Sequence, residues 1–391
     1  MNSLRIRQML FIPLIILLVL LSGCWSRIEL NNRVFITAVF IDKAKGKGKG
    51  VEMTLMFPLT NRIPAQIGGS PSKIPYATVS ATGLNMAEAY RFIQSDLPRQ
   101  IAWEHNRVIV LGRDLAESGV KPVLEFINRN PNAQLRTLIM VAPGKAKEIS
   151  KLTPVVERFP NEVIRQLSRQ KTIINSTVKD FLMAYEKGGD TICALLTIGK
   201  KKLLSEQGKK KTWVGADGAA IFKNGKMVGT INMQEMRGAQ WIMDRMQSAL
   251  ITVPSPTDKK PISLLIHRSK TNIKPSLKGN HITFEIKTAA VGHLISSDSN
   301  LKVTDPKQFR NLERIFNSKI EGYIQDAMHK SRKLGADVFQ LDSYLDWHEP
   351  QKWRKIKPNW HRIYKYEADI KIKVQTKIKH GAEKNPVWGM K

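Results

Sequence analysis

The 391-residue sequence predicts a multi-domain chain of mixed α/β and α+β class. It has an N-terminal layered strand–helix domain and a C-terminal domain of antiparallel strands packed on one long helix. Three observations predict it. Strand-like and helix-like segments alternate through the first half, as in layered α/β domains. Residues 306–334 carry apolar side chains at steps of three and four, the mark of one long amphipathic helix. The last regular segment, YEADIKIKVQTKIK, alternates apolar and lysine positions as a half-buried strand does.

Each element is justified in turn. Ser26-Arg27-Ile28-Glu29 has capping-box spacing, so a short helical turn is expected there. Val34–Ile41 and Val51–Phe57 are β-rich runs around a Lys/Gly turn and read as a hairpin. The GKGKG within it is a solvated turn, because neither glycine phosphate-binding pattern is complete. Asn61–Lys73 reads as a loop. YATVSATG is a strand, and LNMAEAYRFIQSDL has helical spacing at Leu84, Ala87, Tyr90 and Leu97. NRVIVLG is a buried strand. VKPVLEFINRN is a helix with Val120, Val123, Leu124 and Ile127 on one face. QLRTLIMVA and GKAKEISKL add a strand and a helix, and Glu162–Gln170 and Thr177–Lys187 two further helices. In Gly199–Lys211 two lysine triplets flank an apolar pair, the composition of a domain boundary or exposed loop.

The second half opens with a hairpin, GADGAAIFKNGKMVGTIN, whose Asn224-Gly225 signals a type I′ turn. A helix, MQEMRGAQWIMDRM, and three strands follow, the last two joined at Leu277–Asn280. The long helix Pro306–Leu334 places Phe309, Leu312, Phe316, Ile320, Tyr323, Ile324 and Ala327 on one face, and Gly335 can end it. In the final strand Ala368, Ile370, Ile372, Val374 and Ile378 face in, while Lys371, Lys373, Lys377 and Lys379 face out as a candidate partner-facing basic surface. Trp347, Trp353 and Trp360 lie in a loop-like basic stretch. Packing of the long helix onto the strands is the favoured reading for them over an interface.

The N-terminus fixes where the chain works. Arg5 and Arg7 precede a 13-residue apolar run, Met9–Leu21. That is short of the roughly 18–20 residues a membrane-spanning helix needs and suits a secretory signal. Leu21-Ser22-Gly23-Cys24 then has the lipobox pattern of an apolar residue, two small ones and a cysteine. Small residues let the chain lie extended in a peptidase cleft, and the thiol can take a diacylglyceryl group as a thioether. Cleavage is expected between Gly23 and Cys24, leaving Cys24 S-diacylglycerylated and N-acylated. Two acyl chains hold a membrane stably where one does not. The expected organisation is signal peptide 1–23, N-terminal domain 24–205, C-terminal domain 206–380 with a division near 255, and tail 381–391.

With Cys24 lipidated, Cys193 is the sole remaining thiol and no internal disulfide forms. The formal charge is +30. Export removes nucleic acid as its partner and leaves anionic lipid, wall polymer or acidic protein surfaces. The sequence contains no His-Glu-x-x-His, Gly-x-Ser-x-Gly, paired-cysteine metal motif or P-loop, so no catalytic residue, metal or cofactor is assigned. His105, beside Glu104, reads as a structural strand-edge histidine.

LSGCWSRIELNN, HNRVIVLGRDLAESGV with LEFINRNP, GAAIFKNGKMVGTI with EMRGAQW, IKPSLKGN, LGADVFQ and YEADIKIKVQTKIKHGA occur in this order. Together they resemble the Ger(x)C family of spore germination lipoproteins, the C subunits of nutrient germinant receptors, from Cys24 to about Gly381. Ser26 replaces an Asp common after the family's Cys-Trp, and Gln340 a frequent Gly. The resemblance implies a non-enzymatic subunit, lipid-anchored on the outer face of the inner spore membrane. Its partners would be integral membrane A-type and B-type receptor subunits. A small-molecule nutrient would be sensed by the complex rather than by this chain. The alternative is a nutrient-binding lipoprotein of solute-receptor type, which would need two similar lobes around a cleft.

Overall fold

The computed structural model describes residues 29–46, 50–59, 74–152, 157–188, 190–202, 210–279, 281–301 and 305–379, with the backbone alone at 200–202 and 210–212. Gly23, Cys24, Ser26, the Asn61–Lys73 segment and the 381–391 tail lie outside them. A short turn does follow the N-terminal segment. It is a 3-10 turn over Leu30–Asn32 that starts from Glu29 without a side-chain cap.

The first half builds an eight-stranded mixed sheet. Its strands are β2 (Ala38–Lys43), β3 (Val51–Pro58), β4 (Tyr76–Gly83), β6 (Val108–Leu111), β7 (Leu138–Val141), β8 (Thr191–Lys202), β9 (Lys210–Lys223) and β10 (Lys226–Ile231), in the order β10-β9-β8-β7-β6-β2-β3-β4. β2, β6, β7 and β8 run parallel, and hairpins extend both edges. The expected first strand is split. β1 (Arg33–Phe35) pairs instead with β5 (Gln100–Ala102).

Strands buried on both faces read as unbroken apolar runs. Ala38, Phe40, Val108 and Val110 enter one core, and Val39, Ile41, Ile109 and Leu111 the other. The second core is closed by α1 (Met86–Ser95), α2 (Arg113–Ser118), α3 (Lys121–Asn128) and α6 (Val178–Lys187). The first face receives α4 (Ala146–Ser150) and α5 (Pro160–Arg169).

The face expected for α1 is out of phase. Asn85 caps the helix by accepting from the N–H groups of Ala87 and Glu88, so Leu84 falls outside it and is 77% exposed. Met86, Ala89 and Ile93 are the buried residues instead, with Tyr90 and Leu97 half-buried beside them. The lysine-rich 199–211 stretch also differs from its loop reading. β8 and β9 pair from Thr191–Phe222 to Lys202–Lys210, so the lysines at 200–202 and 210–211 are strand. That hairpin carries one sheet across the 205/206 division. Asn224 and Gly225 both have positive φ (51° and 72°), as a type I′ turn requires.

The second half forms a four-stranded sheet, β11 (Ala249–Pro254), β12 (Pro261–Lys278), β13 (His281–Ser297) and β14 (Asp369–Lys379), in that order. The sheet is not wholly antiparallel as expected. β14 runs parallel to β13, because the chain returns through the long helix and parallel neighbours need such a crossover. That helix, α8, spans Pro306–Leu334 with the expected face buried. Asp305 caps its start, and Gly335 ends it at φ 64°. Against it lies α7 (Met233–Ile242). The two backbones touch at Gly238, where a Cβ would sit 1.8 Å from the Tyr323 carbonyl oxygen.

The tryptophan stretch is helical rather than loop-like. It holds α9 (Leu341–His348), α10 (Pro350–Ile356), α11 (Trp360–Arg362) and a π-turn (Ile363–Glu367). Trp353 and Trp360 are buried edge to face, 5.4 Å apart, and Trp360 packs on Phe284 of β13. Trp347 is 67% exposed, with the Lys187 ammonium 5.6 Å above its ring.

Candidate functional site

β14 sets the basic face by its alternation. Lys371, Lys373, Lys377 and Lys379 are all exposed on the side away from α8. The face is not uniformly cationic. Glu285 on β13 accepts from Lys373 at 2.8 Å and Lys287 at 3.0 Å. Lys373 and then Lys287 hold its carboxyl down at about 2. Lys371 stands 3.9 Å from Asp369. The structure thus places the four lysines on one strand face, with Glu285 beside Lys373 and Asp369 beside Lys371.

A second polar centre was not foreseen from sequence. It lies where α6 and the start of β8 meet the chain leaving α8. Asp337, 4% exposed, accepts N–H bonds from Leu341 (3.1 Å), Asp342 (3.0 Å) and the Trp360 indole (3.0 Å). Its own N–H donates to Asp190 Oδ2 at 2.7 Å, and Asp190 also accepts from Asn224 N–H at 3.3 Å. His361 Nδ1 lies 3.6 Å from Asp190 and makes no hydrogen bond. Burial pushes both carboxyls above the ordinary range, against donors and cations that favour the anions. A cleft of about 190 Å³ opens beside them, walled by Trp353, Trp360, Lys187 and Lys357. The only sequence signal was that Asp337 lies in LGADVFQ, one of the stretches that carry the resemblance; Asp190 and His361 are 147 and 24 residues away from it, too far for spacing to connect them.

A third buried carboxylate, Asp42, ties β2 to α4 by accepting from Ala146 (2.7 Å) and Lys147 (2.9 Å) N–H groups. Gly112 leaves room for it, since a Cβ there would lie 2.0 Å from Asp42 Oδ1. His105 stacks edge-on against Phe35 at 4.8 Å, a structural contact. Cys193 is buried, and burial pushes its thiol far up. Among the described residues no group of three or more His, Cys, Asp or Glu side chains is arranged to hold a metal, and no helix is long and apolar enough to cross a membrane.

Two family models match the chain. Residues 26–198 match the spore germination protein N-terminal domain, and residues 217–381 the C-terminal domain of spore germination B3/GerAC-like proteins. The chain is 28% identical to YfkR of Bacillus subtilis (strain 168) over 363 residues, 90% of this chain and 91% of that one. It is 25% identical to spore germination protein KC of the same organism, with 98% of each chain covered. The crystal structure of the GerBC protein shares the fold. The TM-score is 0.56 at 22% identity, over 87% of this chain and 96% of that one.

Proposed function

The chain belongs to the spore germination B3/GerAC-like family, and from that premise we propose that it is a lipid-anchored C-type subunit of a spore nutrient receptor. The observation that carries this is the pair of family matches, which together run from residue 26 to 381 with one short gap. Cys24 would carry the lipid on the outer face of the inner spore membrane. Four residues lie between it and Glu29, the first described residue, so the five steps reach at most about 18 Å. The folded body would therefore ride close to the bilayer. The subunit would act by surfaces rather than by chemistry, assembling with the integral A-type and B-type subunits. Lys371, Lys373, Lys377 and Lys379 would present one such surface.

Spores lacking this chain should lose dipicolinate release in response to some nutrients of an amino-acid and sugar panel. Cys24→Ala should reproduce that loss and free the protein from the membrane fraction. Normal germination with the unlipidated variant would refute the anchoring role.

A further inference from the structure

β14 is the edge strand of its sheet, and edge strands expose backbone groups that natural proteins usually cover. Here the cover is partial. The N–H groups of even-numbered residues point away from β13. Thr376 N–H donates to Asn317 Oδ1 at 2.6 Å, and Ile378 N–H to Glu313 Oε1 at 3.1 Å. Both acceptors lie on α8, one turn apart. The next positions along that helix row are Glu321 and Gln325. They bond to each other instead, Gln325 Nε2 to Glu321 Oε1 at 3.5 Å. Beyond Asn317, among the described residues, no α8 side chain accepts a hydrogen bond from the N–H groups of Ile370, Ile372 or Val374.

A groove of about 620 Å³ opens at this place, floored by Ile370, Ile372 and Met328. His329, Arg332 and Lys333 of α8 and Lys365 of the π-turn line it, and among the described residues no carboxylate does. Arg332 is held in position by donating from Nε to the Tyr364 carbonyl oxygen at 2.9 Å. Tyr366 is 69% exposed at the rim. The groove combines the outward N–H groups of Ile370 and Ile372, at strand spacing, with a half-apolar floor and a cationic wall.

We propose that the open edge of β14 and the groove beside it form a docking site for an extended acidic segment of a partner protein, which adds to the sheet as a fifth strand. Backbone pairing would supply affinity. Alternate side chains of the added strand would reach the apolar floor, and its carboxylates would meet Arg332, Lys333 and Lys365. The inference rests on the reading of this chain as a docking subunit only in that the occupant is a protein. A binding assay with the purified chain can therefore fail without a change in the germination phenotype, and the reverse.

The test uses the full chain in detergent micelles and a fluorescent nine-residue peptide alternating glutamate and valine. Controls are the matching lysine–valine peptide, a glutamate peptide N-methylated at every residue so that neither edge can donate, and phosphatidylglycerol vesicles. The glutamate peptide should bind, and the two control peptides should not. Lys333→Glu with Lys365→Glu should weaken binding by about tenfold or more. Ile372→Pro removes one outward N–H without touching the bonds to β13 and should do the same. Equal binding of the glutamate and lysine peptides, or binding of the N-methylated one, would overturn strand addition. Vesicle binding that Lys333→Glu with Lys365→Glu weakens, with no binding of the glutamate peptide, would assign the groove to a lipid surface and equally overturn it. Insertion through the Cys24 lipid would not respond to those substitutions. If Ile372→Pro melts the fold, the N-methylated peptide decides the matter.

Discussion

Asp337 donates its backbone N–H to the Asp190 carboxylate at 2.7 Å, while its own carboxylate gathers three N–H groups from α9 and Trp360. The two acids thus stand in series, and the series joins the large sheet to the helices that follow α8. Removing the first link exposes its worth. Asp190→Ala leaves the buried Asp337 N–H without a partner and should cost about 1–3 kcal/mol of stability. Denaturant unfolding of the variant against the native chain would measure it.

The same pair sets a pH dependence. Burial raises the Asp337 carboxyl to about 8, and Asp190 shifts the same way. A raised carboxyl pKa means the folded state holds its proton more tightly than the unfolded chain. The stabilisation is full below the ordinary carboxylate value near 4 and is lost as pH rises toward about 8. Asp337→Asn should flatten unfolding free energy across that window, and an unchanged slope would refute the assignment.

Gln340 sits in the left-handed region, at φ 54° and ψ 43°, where a side chain crowds its own backbone. A glycine would adopt that conformation without the crowding. Gln340→Gly should stabilise the protein by about 1 kcal/mol, read as a raised midpoint in thermal unfolding.

Gly238→Ala should do the opposite. The new methyl would meet the Tyr323 carbonyl oxygen at 1.8 Å, and α7 would have to move off α8. A loss of about 1–3 kcal/mol is expected, with a lower melting temperature.

The sequence by itself determined most of the elements and the nature of the last strand. Period-3.6 spacing placed α8 at its observed bounds, and Asn224-Gly225 named its turn, because both signals are local. Alternation likewise put Lys371, Lys373, Lys377 and Lys379 on one face. The tertiary structure decided what local signals cannot carry. The cap at Asn85 rotated the buried face of α1 away from Leu84. The crossover through α8 made β14 parallel to β13. Glu285 reached Lys373 from a neighbouring strand, and Asp190 reached Asp337 across 147 residues. Periodicity reports which side of an element is apolar. Only packing brings distant polar groups within hydrogen-bond range, and there burial and partnership set their charge.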